Sequence, residues 1–248
     1  MLLAAGVDPP LRELLCDASR LRPFVLSSAR AALGGFARRY PELESERKLT
    51  LLVAWADGEL DVFAHVAELP PRPSPPVEVR VLGAPRSNAK AKDSEWVRSR
   101  QALEDAKPAH VNELLLCDAS GALPEGTQTN FFAVRGGVVT TAPDDGSILA
   151  GTVRGIVLDV CAAAGIPVEL SAPNVRDAAD WEEAFIASTS RLVLPIDALQ
   201  VVEGAEGLRE LRREFAAHPV GDRLLELVRE ELRSRSSEVL IAEGGARV

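Results

Sequence analysis

The sequence predicts an α+β fold in two subdomains, and three observations predict it. Helical periodicity with an Ala- and Leu-rich composition is concentrated in the first 43 residues, alternating strand-like runs joined by turn signals follow, and a new cycle of helices and strands starts beyond Arg86-Ser87-Asn88. The expected division is a small N-terminal α/β subdomain over residues 1–88, a larger C-terminal subdomain over 89–234 and a frayed tail over 235–248.

Each element follows from local chemistry. Leu2 to Leu43 reads as helical, with Asp8-Pro9-Pro10 as a start signal and Leu11, Leu14 and Leu15 on one face; a second helix is expected from about Pro23 to Arg39, ending near Tyr40-Pro41. Lys48 to Trp55 and Glu59 to Val66 read as a hairpin around Ala56-Asp57-Gly58. The prolines between Leu69 and Pro76 cannot continue a ladder, and Val77 to Leu82 is a further strand. From Lys92 the spacing of Trp96, Val97, Arg100, Leu103 and Glu104 is helical until Lys107-Pro108. Two strands then flank a polar turn, and a hairpin passes through Arg135-Gly136-Gly137 to Val138-Val139. Leu149 to Arg154 opens a helix that ends at Ala164-Gly165, strands are expected at Ile166 to Leu170, Ala184 to Ser188 and Leu192 to Ile196, and a last helix runs from Val220 to Arg233.

Length and charge narrow the function classes. A chain of 248 residues can bury a substantial core. With 28 basic against 37 acidic side chains it lacks the basic excess that a nucleic-acid surface needs, while an anionic small ligand requires only one local cluster of donors. Cys16, Cys117 and Cys161 are odd in number and set far apart in apolar surroundings, so neither a disulfide framework nor a zinc site is expected. His65, His110 and His218 are scattered without metal-ligand spacing, and no metal is expected. No apolar run approaches the roughly 20 residues that span a bilayer. Asp8, Arg12, Glu13 and Asp17 come too early for a signal peptide. The expectation is a soluble, cytoplasmic protein without nucleic-acid or membrane partners, organellar targeting being left open by the N-terminus.

The residues that carry chemistry are few. Glu125, Gly126, Thr127, Gln128, Thr129 and Asn130 form a polar knot between two apolar runs, where buried polar groups need partners. Lysine occurs only at Lys48, Lys90, Lys92 and Lys107, against an Arg-dominated background. An arginine stays protonated, whereas a desolvated lysine can serve as an amine nucleophile. Lys90 and Lys92 fall where strand gives way to helix, a position equally suited to solvated charges. Leu149 to Arg154 presents a helix N-terminus with unpaired amides, a ready anion site or simply a helix start, and Ser188-Thr189-Ser190 ends a strand with three hydroxyls that also suit an ordinary turn. With Glu125 and a lysine, these features describe a phosphate-bearing cofactor with a basic ring nitrogen and an aldehyde carbon, that is, pyridoxal 5'-phosphate (PLP). No G-x-S-x-G elbow, Walker lysine motif or G-x-G-x-x-G between strand and helix is present.

In order and spacing, NELLL, EGTQTNFF, LAGTVR, GIPVE and EAFIASTSRLVLP, preceded by a lysine-led helix, resemble the class IV aminotransferases of the fold-type IV PLP enzymes. That family includes branched-chain and D-amino acid aminotransferases and aminodeoxychorismate lyase. The resemblance covers about Lys92 to Pro195, and KDSEWVRSRQALE resembles a divergent branch found among plant and fungal homologues. It implies a D-amino acid aminotransferase-like fold whose larger subdomain is a mixed, β-barrel-like structure with flanking helices. It implies transamination of an amino acid with a keto acid, Lys92 being the Schiff-base lysine and proton carrier and Lys90 the fallback. Glu125 would pair with the protonated pyridine nitrogen, Leu149 would pack on the ring, the amides of Thr152 and Val153 would cradle the phosphate, and Thr189 would add a hydroxyl to it. Thr129 and Asn130 would lie at the cofactor and substrate end of the knot. Val153 departs from the hydroxyl residue often found before the Arg of the phosphate turn. The family also begins with strands that this chain lacks before its first helix, so the N-terminal subdomain is expected to be incomplete. A β-eliminating lyase and a catalytically inactive binding homologue are the competing expectations, and a homodimer is implied by resemblance alone.

Overall fold

Asp17 sets the start of the long helix. In the computed structural model, which describes residues 9–56, 59–202 and 209–236, α1 (Pro9–Cys16) stops and α2 (Ala18–Arg39) begins because Asp17 leaves helical geometry and accepts the amides of Ser19 and Arg20 at 2.9 and 3.3 Å. The second helix therefore starts ahead of Pro23, which lies inside it, and it ends at Tyr40. The start signal at Asp8, the turn residues Asp57 and Gly58 and residues 237–248 of the tail lie outside the described residues. β1 (Arg47–Ala56) and β2 (Glu59–Glu68) pair antiparallel in the expected hairpin, with Lys48 opposite Ala67 and Leu52 opposite Phe63. Ser28 of α2 donates to the Val62 carbonyl at 2.6 Å. These elements belong to one compact unit; the other is Arg72–Arg235.

In the second unit, β3 (Glu78–Val81) leads through a segment without regular structure to α3 (Ser94–Ser99), α4 (Gln101–Ala106) and β4 (Val111–Leu115). The helix expected from Lys92 is thus capped by Asp93 and interrupted at Arg100. Asp93 accepts the Trp96 amide at 2.9 Å, which leaves Lys92 just ahead of the cap. β5 (Asn130–Arg135) and β6 (Val138–Thr141) form the predicted hairpin, and α5 (Thr152–Ala164) ends on Gly165 at φ 68° before the short β7 (Val168–Leu170). A 3-10 turn over Val175–Asp180 precedes β8 (Glu183–Ser188) and β9 (Leu192–Pro195); β10 (Ala198–Val201), β11 (Leu211–Glu214) and α6 (Pro219–Arg235) complete it.

Among the described residues, the strands of this second unit form two open sheets. One has the order β11-β10-β3-β4 and the other β7-β6-β5-β8-β9. β5 and β8 explain why the second is central. Phe131, Ala133, Ala184 and Ile186 point into a core shared with Val79, Val81, Leu115, Leu199 and Val201 of the first sheet. The alternate residues Phe132, Val134, Phe185 and Ala187 face Val153, Val157 and Cys161 of α5 and Leu224 and Val228 of α6. Among the described residues neither sheet closes on itself, so the barrel-like character expected of this part is that of two sheets packed face to face. The two strands around the polar knot belong to different sheets, a difference from the single strand-turn-strand the sequence suggests. The knot is where the chain crosses from one sheet to the other.

Candidate active site

A crossover between sheets leaves backbone groups without a ladder, and here they are satisfied locally. Leu116 donates to the Glu125 carbonyl at 2.9 Å, Thr127 to the Leu114 carbonyl at 2.9 Å and Gly126 to the Thr129 carbonyl at 2.8 Å. Gly126 has no room for a side chain: a Cβ would stand 2.6 Å from Thr129 Oγ1 and 3.1 Å from the Leu114 carbonyl. The Thr127 hydroxyl lies 2.6 Å from Glu113 Oε1 and 3.0 Å from Glu104 Oε1, and its carbonyl accepts from Trp96 Nε1 at 3.0 Å and Arg100 Nη1 at 3.1 Å. Glu113, 1% exposed, is ion-paired with Arg191 from the β8–β9 turn, which also donates to the Asn112 carbonyl at 3.1 Å.

Glu125 is the chemical centre of the knot. Its side chain is 5% exposed, Oε1 accepts from Arg86 Nε at 2.8 Å and Oε2 accepts from the Leu149 amide at 2.9 Å. Burial holds its proton affinity above the ordinary carboxylate range, opposed by the Leu149 amide, the Arg86 hydrogen bond and charge, and the charge of Lys92. Asn130 takes the other side of the same residue, its Nδ2 donating to the Leu149 carbonyl at 2.8 Å. Three residues later α5 begins. Its first intrahelical bond in this stretch runs from Gly155 to Gly151, so the amides of Thr152, Val153 and Arg154 precede it, and Gly151 brings no capping side chain. Asn130 Oδ1 stands where a Gly151 Cβ would be, so any side chain here would displace the Asn130 amide from this turn.

The sequence-predicted residues divide clearly. Glu125, Asn130, Leu149, Thr152 and Val153 are joined in one hydrogen-bonded wall and its adjoining helix start. Val153 points its side chain into the core, 2% exposed, leaving only its backbone for a ligand. Thr129 is 5% exposed and its hydroxyl has no hydrogen-bond partner among the described residues. Thr189 is exposed in the β8–β9 turn; β5 pairs Asn130 with Ala187, which brings this turn to the same end of the sheet as the knot. The two lysines part company. Lys92 acts electrostatically on Glu125, whereas Lys90 acts on Asp145 and lies against Gly146, where a Cβ would be 2.6 Å from its Cε.

The sequence of residues 23–199 matches the family described as amino-transferase class IV. The chain belongs to this family. Among relatives, a Methanocaldococcus jannaschii protein assigned as a branched-chain-amino-acid aminotransferase is 33% identical over 120 residues, 48% of this chain and 42% of that protein. The chain thus aligns with less than half the length of such curated relatives. Among solved structures, a hypothetical aminotransferase of Mycobacterium tuberculosis in its PLP-bound form superposes with a TM-score of 0.67 at 18% identity, covering 89% of this chain and 77% of the other. A Legionella pneumophila protein assigned as a 4-amino-4-deoxychorismate lyase superposes with a TM-score of 0.59 at 14% identity, covering 83% and 85%. At these identities both show the shared fold.

Several residues bonded around this candidate site were not singled out as site residues from the sequence: Arg86, Trp96, Arg100, Glu104, Glu113 and Arg191. A buried carboxylate at Glu125 demands a cation, but nothing in local spacing says that Arg86, 39 positions upstream, supplies it. A groove along α2 lined by Ser19, Arg22, Leu26 and Arg30 lies in the other compact unit and contains none of the predicted site residues. Among the described residues no cluster of His, Cys, Asp or Glu could hold a metal ion, and no helix is long and apolar enough to cross a membrane.

Proposed function

We propose that this chain is a PLP-dependent aminotransferase acting through Lys92. The residues fit the cofactor: a buried carboxylate for a ring nitrogen, an uncapped helix N-terminus for a phosphate, and an amine whose charge reaches that carboxylate. The observation that carries the reading is the position of Leu149. Its amide is held by Glu125 and its carbonyl by Asn130, so the ring partner and the phosphate turn are one rigid unit. Bound PLP would supply an electron sink for the carbanion left when a substrate loses its α-proton. Lys92 Nζ would attach the cofactor and then carry that proton, Glu125 would hold a positive charge at the ring nitrogen, and the amides of Thr152 and Val153 with the Thr189 hydroxyl would bind the phosphate. Lys90, turned toward Asp145, is the weaker candidate.

The substrate pair is proposed to be an amino acid and a keto acid. β-elimination by the same apparatus is the second reading, supported by the structural neighbour assigned as a lyase. The homodimer remains a proposal, open to sedimentation of the purified chain. Reduction with borohydride after incubation with PLP, followed by peptide mapping, tests the assignment: the label is expected on Lys92. A label on Lys90, or none, sinks it. Glu125→Gln is expected to keep the fold and most cofactor binding while depressing turnover, and unchanged turnover would give Glu125 another partner. Keto-acid-dependent amino transfer without pyruvate release separates transaminase from lyase, and cofactor binding without either reaction would leave an inactive homologue.

A further inference from the structure

Residues 82–93 carry both Lys90 and Lys92 between β3 and the cap of α3, yet they contain no helix or strand. Such a segment needs side-chain ties to hold one conformation. Its largest buried tie is Arg86, whose side chain is 6% exposed. Nε donates to Glu125 Oε1 at 2.8 Å, Nη1 to the Ala91 carbonyl at 3.1 Å and Nη2 to the Ala89 carbonyl at 2.5 Å. The guanidinium also sits 5.4 Å from the centre of the Trp96 ring, and Trp96 Nε1 bonds the Thr127 carbonyl at 3.0 Å. One planar fork therefore joins the knot, the main chain immediately ahead of Lys92 and the first turn of α3. A lysine, with a single ammonium on a flexible stem, cannot reproduce three bonds fixed in that plane.

We propose that Arg86 is the positioning residue of the site, aligning Glu125 and fixing the main chain from Ala89 to Ala91 so that Lys92 is held in register with it. This rests on the PLP reading above only for its catalytic consequence. The charged groups that act on Glu125 are Arg86 and Lys92, with the Leu149 amide as its remaining donor. Burial of Glu125 favours its neutral acid, which could not pair with a cationic ring nitrogen, so loss of the Arg86 charge moves the site toward its unreactive form. Two functions are thereby separable: the charge governs Glu125, and the fork governs the lysine segment.

The test uses the full chain with Arg86→Met and Arg86→Lys. In the cofactor-free protein, the Glu125 side-chain carbon is titrated by NMR after glutamate labelling, its signal identified by loss in Glu125→Gln. Arg86→Met is expected to raise the Glu125 midpoint by about one pH unit or more, with Arg86→Lys close to wild type. Both variants are expected to slow borohydride-trapped labelling of Lys92 by PLP at least about tenfold. A wild-type Glu125 midpoint in Arg86→Met overturns the proposal, as does wild-type labelling of Lys92 in Arg86→Lys. If Arg86→Met lacks a folded circular dichroism spectrum, the labelling rate of Arg86→Lys decides alone. Failure of the wild-type chain to take PLP at Lys92 would overturn the cofactor reading instead, and leaves the NMR titration to judge Arg86.

Discussion

The two walls of the candidate site are built on opposite principles. In the Glu125, Asn130 and Leu149 wall the two polar side chains are buried and Leu149 is half-buried, and the crossing between the two sheets is satisfied by backbone bonds. The lysine wall is an irregular segment with exposed Lys90 and Lys92, anchored by Arg86 and by the Asp93 cap. Buried polar groups must be paired, so the first wall is over-determined and intolerant of change; solvated lysines impose no such demand. The site thus sets a tightly bonded wall against two lysines carried on a segment that is held by side-chain ties.

The sharpest way to break this contrast is Arg191→Ala. It leaves Glu113, 1% exposed, without its cation, and a loss of about 3–5 kcal/mol in chemical denaturation is expected. Lys90→Ala on the opposite wall should shift stability by less than about 0.5 kcal/mol in the same assay. Comparable losses in both would erase the distinction. Gly126→Ala drives a methyl group toward Thr129 Oγ1 and the Leu114 carbonyl and is expected to cost about 1–3 kcal/mol, read from the denaturation midpoint. A neighbouring pair separates a partnered hydroxyl from an unpartnered one. Thr127→Val removes the group that lies on Glu113 and Glu104 and should cost about 1–3 kcal/mol, whereas Thr129→Val gives up no bond among the described residues and should cost under about 1 kcal/mol.

The smallest effect concerns pH. Because the proton affinity of Glu125 is raised on folding, its contribution to stability is fully present below its unfolded value of 4.5 and is lost as pH rises through the higher folded value. The stability difference between wild type and Glu125→Gln should therefore move against wild type as pH rises from 4.5. A difference independent of pH would mean that Arg86 and the Leu149 amide offset burial completely.

Much of this architecture was readable locally. The β1–β2 hairpin, the β5–β6 hairpin and the Gly165 helix end follow from turn chemistry and periodicity, which act within a few residues. Pro23 suggested a later start for the second helix; the structure places Pro23 inside the helix and gives the cap to Asp17. β10 and β11 were missed because they are short, and their pairings, β10 with β3 and with β11, are made in space. The knot carried the right residue types but not its topology, since nothing local says that β4 and β5 enter different sheets.

By itself the sequence determined which groups the site could contain: a scarce lysine, an acid followed by glycine, and a glycine-led helix start. Those are properties of residue type and near spacing. Only the tertiary structure decided that Lys92 acts on Glu125 while Lys90 is drawn to Asp145, and that Arg86 and Arg191 neutralise the buried acids. The physical reason is that a buried charge takes its partner from whatever the folded chain brings within hydrogen-bond reach, and that partner can lie anywhere in the sequence.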